Sequence, residues 1–242
     1  MFRNRHQANN IYYSDPIVRG SILESVYGIG TVTARKSYQL KSGVTNIIRK
    51  IYVREGDHVM KNDKLVDLDS TSFRAPFSGT LAWVPIKEGE LAFAQAVLLT
   101  LTDLTDRYLI VSLDQRGALR VKIGQQARIS FDSFRDEAYE GFVEAVYAND
   151  NNFLIRINAS KLPSQILPGM TADVAIGILK HDNVLLIPTS AISEGGVLVQ
   201  QNSGKAKSTP VQFGIVNGTM AEVLSGDLKE GDRLAIQKKT NP

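Results

Sequence analysis

Three histidines, the acid-rich glycine turns and the closely spaced Gly28 and Gly30 are the residues of this chain that most invite a chemical role. A bound metal needs ligands that converge, and imidazoles a few residues apart announce such a site. His6, His58 and His181 are widely separated and none sits at ligand spacing from another. Acid–base work needs a carboxylate whose pKa is displaced by burial or by a neighbour. The pairs Glu55/Asp57 and Glu88/Glu90 flank Gly56 and Gly89 in turns that read as solvated, so they are expected to keep those turns soluble. Gly28-Ile29-Gly30 is followed by Thr31-Val32-Thr33, which favours a strand over the helix N-terminus a phosphate requires. The patterns H-E-x-x-H and G-x-S-x-G are absent. The sequence therefore assigns no catalytic residue, no metal ligand and no cofactor, and a non-enzyme is expected.

The 242 residues are 43% hydrophobic and 22% charged and include no cysteine, which excludes a disordered tail, a disulfide scaffold and thiol chemistry. The formal charge of +3 is weak, and opposite signs interleave, as in Arg54-Glu55 and Asp232-Arg233, so nucleic acid is not an expected partner. The longest apolar-rich run, Leu91 to Thr102, is shorter than the roughly 20 residues a spanning helix needs. Arg3 and Arg5 could open an export signal, but Asp15, Pro16 and Arg19 stand where its apolar segment should be. Either a signal or anchor lies outside this chain, or the protein stays in the cytoplasm.

The elements are short strands. Ala127/Ile129/Phe131, Phe153/Ile155/Ile157 and Val211/Phe213/Ile215 each place apolar side chains on alternate positions. Turn formers such as Pro168-Gly169, Asn217-Gly218 and Glu230-Gly231-Asp232 separate the strands. An all-β, multi-sheet protein follows, with one short helical turn expected over Asp114 to Leu119, capped by Asp114. A repeat is also present: Asn46–Asp69 aligns with Gly79–Thr102, pairing Ile48 with Leu81, Val53 with Ile86, Leu65 with Leu98 and Leu68 with Leu101. Two copies of strand, acidic-glycine turn and strand predict a pseudo-symmetric flattened barrel in which each half covers the other. Pro76 suits the first residue or edge of the second half's opening strand.

The two halves resemble a biotinyl/lipoyl domain, and Phe73-Arg74-Ala75-Pro76-Phe77-Ser78-Gly79 looks like the re-entry motif of the second half in periplasmic adaptor proteins. These are the membrane fusion proteins of the HlyD type that serve multidrug efflux pumps. Further similarity lies in Gly28 to Val32, Leu119 to Gln125, Tyr139 to Tyr147, Leu167-Pro168-Gly169-Met170, Leu186 to Ile192, Val211 to Gly214 and Ser225 to Leu234. The resemblance implies three nested β-domains: a membrane-proximal domain of residues 11–27 and 180–238, a β-barrel of 28–37 and 104–179, and a lipoyl-like module of 38–103. It implies a non-catalytic subunit that oligomerises in the periplasm and is held to the inner membrane through a segment outside this chain. Its partners would be an inner-membrane transporter, RND type in preference to ABC type, and an outer-membrane channel or a hairpin-bearing adaptor.

One departure from the family pattern stands out. Adaptors usually carry a long helical hairpin between the two lipoyl-like halves, whereas here Leu68 runs almost directly into the second half. The short junction Asp69, Ser70, Thr71, Ser72, Phe73 and Arg74 is therefore the expected partner-docking tip, read as a polar loop. The alternative function is a carrier subunit of a biotin- or lipoate-dependent enzyme. A carrier needs a lysine at this junction, and Lys61 and Lys64 lie before the closing strand of the first half instead. An envelope module with no transporter is a third reading.

Overall fold

The computed structural model describes residues 11–237 apart from 70, 135–136, 150–151, 160, 194–195 and 201–205. His6, Arg3, Arg5 and Ser70 of the sequence reading lie outside the described residues. The chain opens with β1 (Ile11–Tyr13) and the long β2 (Val18–Ala34). There follow β3 (Ser37–Lys41), β4 (Asn46–Ile51), β5 (His58–Val59), β6 (Lys64–Leu68), β7 (Ser72–Arg74), β8 (Gly79–Trp83), β9 (Leu91–Ala92) and β10 (Val97–Thr102). Next come β11 (Arg107–Leu113), α1 (Gln115–Ala118), β12 (Gln126–Ser130), β13 (Ala138–Asn149), β14 (Asn152–Asn158) and β15 (Thr171–Pro188). The last strands are β16 (Ile192–Ser193), β17 (Gly196–Gln200), β18 (Ala206–Thr209), β19 (Val211–Val216), β20 (Met220–Gly226) and β21 (Ala235–Gln237). The all-β expectation holds, and α1 forms where expected, with the Gly117 N–H donating to the Asp114 carboxylate at 2.7 Å. Among the described residues no helix is long and apolar enough to cross a membrane.

The chain divides into two compact units, residues 1–26 with 177–242 and residues 27–176, and it crosses between them within β2 and within β15. In the second unit, residues 37–102 form two four-stranded sheets, ordered β3-β10-β8-β5 and β7-β6-β4-β9. They share one core, in which Leu40, Ile48, Leu65, Val66, Leu81, Leu98, Leu99 and Leu101 are almost wholly buried. Each such side chain contributes about 1.5–3 kcal/mol relative to exposure. β6 passes to β7 through a short link closed by the Leu68 N–H donating to the Thr71 carbonyl at 2.8 Å.

The rest of this unit is a closed barrel. The strands run β12-β13-β14-β11-β2-β15, and β15 returns to pair with β12 through Ala127↔Ile176 and Ile129↔Val174. Alternation puts Val32, Leu109, Val111, Ile129, Val143, Ile155, Ile157 and Val174 inside. At Pro168-Gly169, the expected tight turn is present: Gly169 has φ of +94° and the Met170 N–H donates to the Leu167 carbonyl at 3.2 Å. Buried Arg107 anchors the neighbouring loop by donating to the carbonyls of Leu162 (2.7 Å), Pro163 (2.9 Å) and Ile166. Pro76 departs from expectation, lying in the bend between β7 and β8 rather than at a strand's first residue. A missing donor costs nothing in a bend, so the proline is tolerated there equally well.

The first unit packs Ile17, Leu185, Ile187, Val197, Ala221, Leu234 and Ile236 into its own core. Glu222 on β20 is the one buried carboxylate among the described residues of this unit; it accepts from the Ile215 N–H at 3.0 Å and lies 2.9 Å from His181 Nδ1. Burial pushes the Glu222 pKa up, but the Ile215 N–H and His181 together outweigh it and hold the carboxyl below its ordinary value of 4.5.

Two outcomes are expected. Because the β6–β7 link lies on an exposed end and loop closure adds only about 0.6 kcal/mol per doubling of length, a helical hairpin inserted between Ser70 and Thr71 should leave the β-structure folded. Circular dichroism should then show added helix on an unchanged β-background. Glu222→Ala should destabilise the first unit by about 1–3 kcal/mol, the cost of an orphaned buried donor, read as faster amide exchange along β20. A depressed folded pKa stabilises above the unfolded value, so in the unmodified chain protection of β20 should be complete at neutral pH. It should be lost as the pH falls below 4.5 and through the lower folded value.

Candidate functional site

The duplicated module is more symmetric than the sequence alignment indicates. An offset of 33 residues, set by Asn46 onto Gly79, carries β4, β5 and β6 onto β8, β9 and β10, and it also carries β3 onto β7. The ladders β10–β3 (Val97↔Lys41, Leu99↔Leu40) and β6–β7 (Lys64↔Arg74, Val66↔Phe73) match even in their register shifts. So do the backbone conformations: Gly56 and Gly89 have φ of +86° and +85°, and Asn62 and Gln95 have +75° and +65°.

Each half completes the other. The Gly56 N–H donates to the Leu81 carbonyl and the Gly89 N–H to the Ile48 carbonyl, both at 2.8 Å. The turn carboxylates do more than solubilise. Glu55 accepts from the Val84 N–H at 2.8 Å and Glu88 from the Ile51 N–H at 2.9 Å, across the two halves. Asp57 and Glu90 accept from Arg54 and Lys87 within their own turns, at 2.7 and 3.1 Å. Their type and spacing serve turn geometry rather than acid–base chemistry.

The chain enters and leaves this module at Ser37 and Thr102, so the β6–β7 link is at the far end. Half of the expected loop Asp69–Arg74 is strand: Ser72–Arg74 is β7, and the link itself is Asp69 to Thr71. The difference follows from the duplication, since β7 repeats β3 and pairs with β6 as β3 pairs with β10. Phe73 turns inward against the module core. Asp69 receives the Arg49 side chain, and its N–H donates to the Ile47 carbonyl at 3.2 Å. Arg74 donates to the Asn62 carbonyl at 2.8 Å. The Ser72 hydroxyl donates to Asp67, which also accepts from the Tyr52 hydroxyl at 2.6 Å. These two bonds, the Ser72 one foremost, hold the Asp67 carboxyl below its usual range. Lys50 and Lys64 flank the Tyr52 ring at 5.2 and 5.1 Å from its centre. Thr71 is exposed and Ser70 lies outside the described residues.

Sequence reasoning missed the apolar part of this end. Ile47 pairs with Leu91 and Asn46 with Ala92, which brings the β9–β10 turn beside the β3–β4 turn, where the Ala94 N–H donates to the Thr45 hydroxyl at 3.4 Å. Val44, Leu91 and Phe93 are there 64%, 55% and 64% exposed. Their signal was available in the repeat: the matching positions Phe77, His58 and Met60 all line a cavity at the near end. Of the candidate histidines, His58 is exposed on β5 in one unit and His181 belongs to the other. The chemistry this end offers is surface recognition by apolar contact on a rigid, hydrogen-bonded base.

No family model matches the chain. It is 28% identical over 185 residues to the macrolide export protein MacA of Escherichia coli O157:H7, covering 70% of this chain and 49% of that protein. To the pyoverdine export membrane fusion protein PvdR of Pseudomonas aeruginosa it is 24% identical over 205 residues, covering 70% and 52%. The chain thus spans about half the length of the curated relatives it matches. The crystal structure of MacA from Actinobacillus actinomycetemcomitans superposes with a TM-score of 0.73 at 18% identity, over 94% of this chain and 100% of that one. The strand order, the duplicated module and these likenesses together give the chain the fold of a membrane fusion protein, or periplasmic adaptor, with its two lipoyl-like halves joined directly and no helical hairpin between them.

Proposed function

We propose that this chain is a periplasmic adaptor subunit of an export pump that bridges an inner-membrane transporter and an outer-membrane channel without catalysing a reaction. The observation that carries the reading is the adaptor fold with its halves linked at Asp69–Thr71, so that the module's far end is itself the contact surface. In this reading residues 11–27 and 180–238 act as the membrane-proximal domain, 28–37 and 104–179 as the barrel and 38–103 as the lipoyl-like module. The chain assembles as a homo-oligomer, attached to the inner membrane through a segment outside the sequence. The transporter is assigned to the RND type on the resemblance of the sequence motifs, with an ABC exporter as the alternative.

Asp69, Ser70, Thr71, Ser72, Phe73 and Arg74 form the docking tip in this reading, with distinct parts. Phe73 ties the tip to the core, Asp69 and Arg74 fix its backbone, and Thr71 and Ser72 present its outer surface. A carrier role is disfavoured by the link's lack of lysine: Lys61 sits in the turn before β6 and Lys64 within it, remote from the junction a prosthetic group would swing from.

Crosslinkers at Ser72 should capture a channel or second adaptor in the native envelope, while pull-down through the remainder of the chain recovers the transporter and identifies its class. Capture of the transporter alone from Ser72 would overturn the tip assignment. Intact mass after co-expression with biotin and lipoate ligases should equal that of the bare chain, and a prosthetic adduct would favour the carrier reading.

A further inference from the structure

One arginine on the outside of the barrel is held in place and left without a counter-ion. The Arg156 guanidinium on β14 lies 5.0 Å from the centre of the Tyr108 ring and 5.7 Å from that of Tyr147. Its Nε is buried without a hydrogen-bond partner, and among the described residues no carboxylate pairs with it. Arg35 also stacks on Tyr108, at 5.3 Å, but its donors go to Asp106 and Glu144 at 3.1 and 3.3 Å. The ladders place Ile110 and Ala145 directly beside Arg156. Its outward neighbours along β14 are Leu154, which pairs with Tyr147, and Asn158, which pairs with Tyr108 and Phe142. A single cation in the middle of an aromatic and aliphatic sheet face has the composition of a protein-contact hot spot.

Whatever covers this face must bring an anion, because an unpaired charge taken out of water is strongly destabilising. Stacking on two rings occupies the faces of the guanidinium and leaves its edge to donate, and a carboxylate matches that edge in charge and fork geometry. A phosphate's second charge would meet Glu144, next to the cross-strand neighbour Ala145. The chain carries a suitable carboxylate on the opposite side of the same barrel. Asp173 on β15 is exposed between buried Ala172 and Val174, and among the described residues no cation pairs with it. The nearby Arg128 lies cross-strand from Glu140. β14 and β15 are three strands apart in either direction round the closed six-stranded barrel, so the unpaired cation and the unpaired carboxylate face opposite ways. Complementary patches on opposite sides of one body meet between copies, head to tail, and such contacts close into a ring where the rotation allows.

We propose that the barrel of one copy presents Arg156, held against Tyr108 and Tyr147, to Asp173 of the next copy, and that this pair sets the direction of head-to-tail assembly. The proposal rests on the reading of the chain as a homo-oligomeric adaptor and specifies which surfaces of that oligomer meet. Because the two patches lie on opposite sides, a two-fold dimer cannot join both pairs at once, and assembly continues past two copies.

The test follows self-association of the full chain by sedimentation across a concentration series, with circular dichroism to check the fold of each variant. R156D and D173R should each weaken association by about tenfold or more, and R156D/D173R, which exchanges the two charges, should recover it. If R156D disturbs the stack on Tyr108 and Tyr147, D173N, isosteric at an exposed position, tests the same contact and should weaken it too. R156K, which keeps the charge and loses the forked edge, should fall between R156D and the unmodified chain. Lys41→Glu, a charge change of the same size on the 37–102 module, should leave association unchanged. Association that no variant alters, a loss in folded R156D or D173R that the charge exchange does not repair, or an equal loss in Lys41→Glu would overturn the inference while leaving the homo-oligomer standing. A chain that stays monomeric both on sedimentation and under lysine crosslinking in its native envelope would overturn both.

Discussion

The hydrogen bonds that cross between the two halves of the 37–102 module set the terms for everything built on it. These bonds lie in exposed turns, and each contributes about 0.5–1.5 kcal/mol. The Gly56 N–H finds its partner only in the second half, at Leu81, and the Gly89 N–H only in the first, at Ile48. Glu55 and Glu88 repeat the exchange with backbone N–H groups of Val84 and Ile51. Neither half can complete its turns or cover its apolar face alone, so the two fold as one body with fixed ends. That mutual dependence is why the halves can be linked as tightly as Asp69–Thr71, since β6 and β7 are already ladder neighbours before the link is drawn.

The same dependence explains what the sequence made legible. Inward positions answer to one shared core, so Ile48/Leu81, Leu65/Leu98 and Leu68/Leu101 keep their character, and all six are nearly or fully buried. Turn positions answer to backbone geometry, so Gly56 and Gly89 recur at nearly identical φ. The β3–β7 correspondence was hidden because those strands are short and mostly outward-facing. Ser37-Tyr38-Gln39-Leu40-Lys41 and Ser70-Thr71-Ser72-Phe73-Arg74 share only an inward apolar residue, a basic residue after it and a leading serine. With β7 unrecognised, its residues read as a loop. The exposed apolar cluster was hidden for a related reason: Val44 lies in the turn after β3 and Leu91 and Phe93 in and just after β9, far apart in sequence and brought together only by the β4–β9 pairing.

Buried charge elsewhere in the molecule follows backbone needs rather than chemistry. Arg107 is enclosed in the barrel and has its pKa lowered by burial; its two terminal nitrogens donate to carbonyls of one loop, while its buried Nε has no partner. Glu222 is enclosed in the other unit, where Gly214 leaves room for its carboxylate and the Ile215 N–H takes it up. In sequence both look like ordinary alternating polar positions of a strand. Their burial depends on loops and glycines that arrive from elsewhere in the chain, which no local pattern encodes. Both have partners on fixed backbone, Glu222 with His181 as a second partner, an arrangement that rigidifies the fold.

On the adaptor reading proposed above, the module's far end meets a partner with no helical hairpin between, so its backbone has to be fixed before contact. Leu91 sits in a strand paired to β4, and Val44 and Phe93 lie beside turns tied by backbone bonds, so little conformational entropy would be lost on binding there. In the homo-oligomer of that reading the same end would be displayed in several copies, and each contact after the first would be effectively intramolecular.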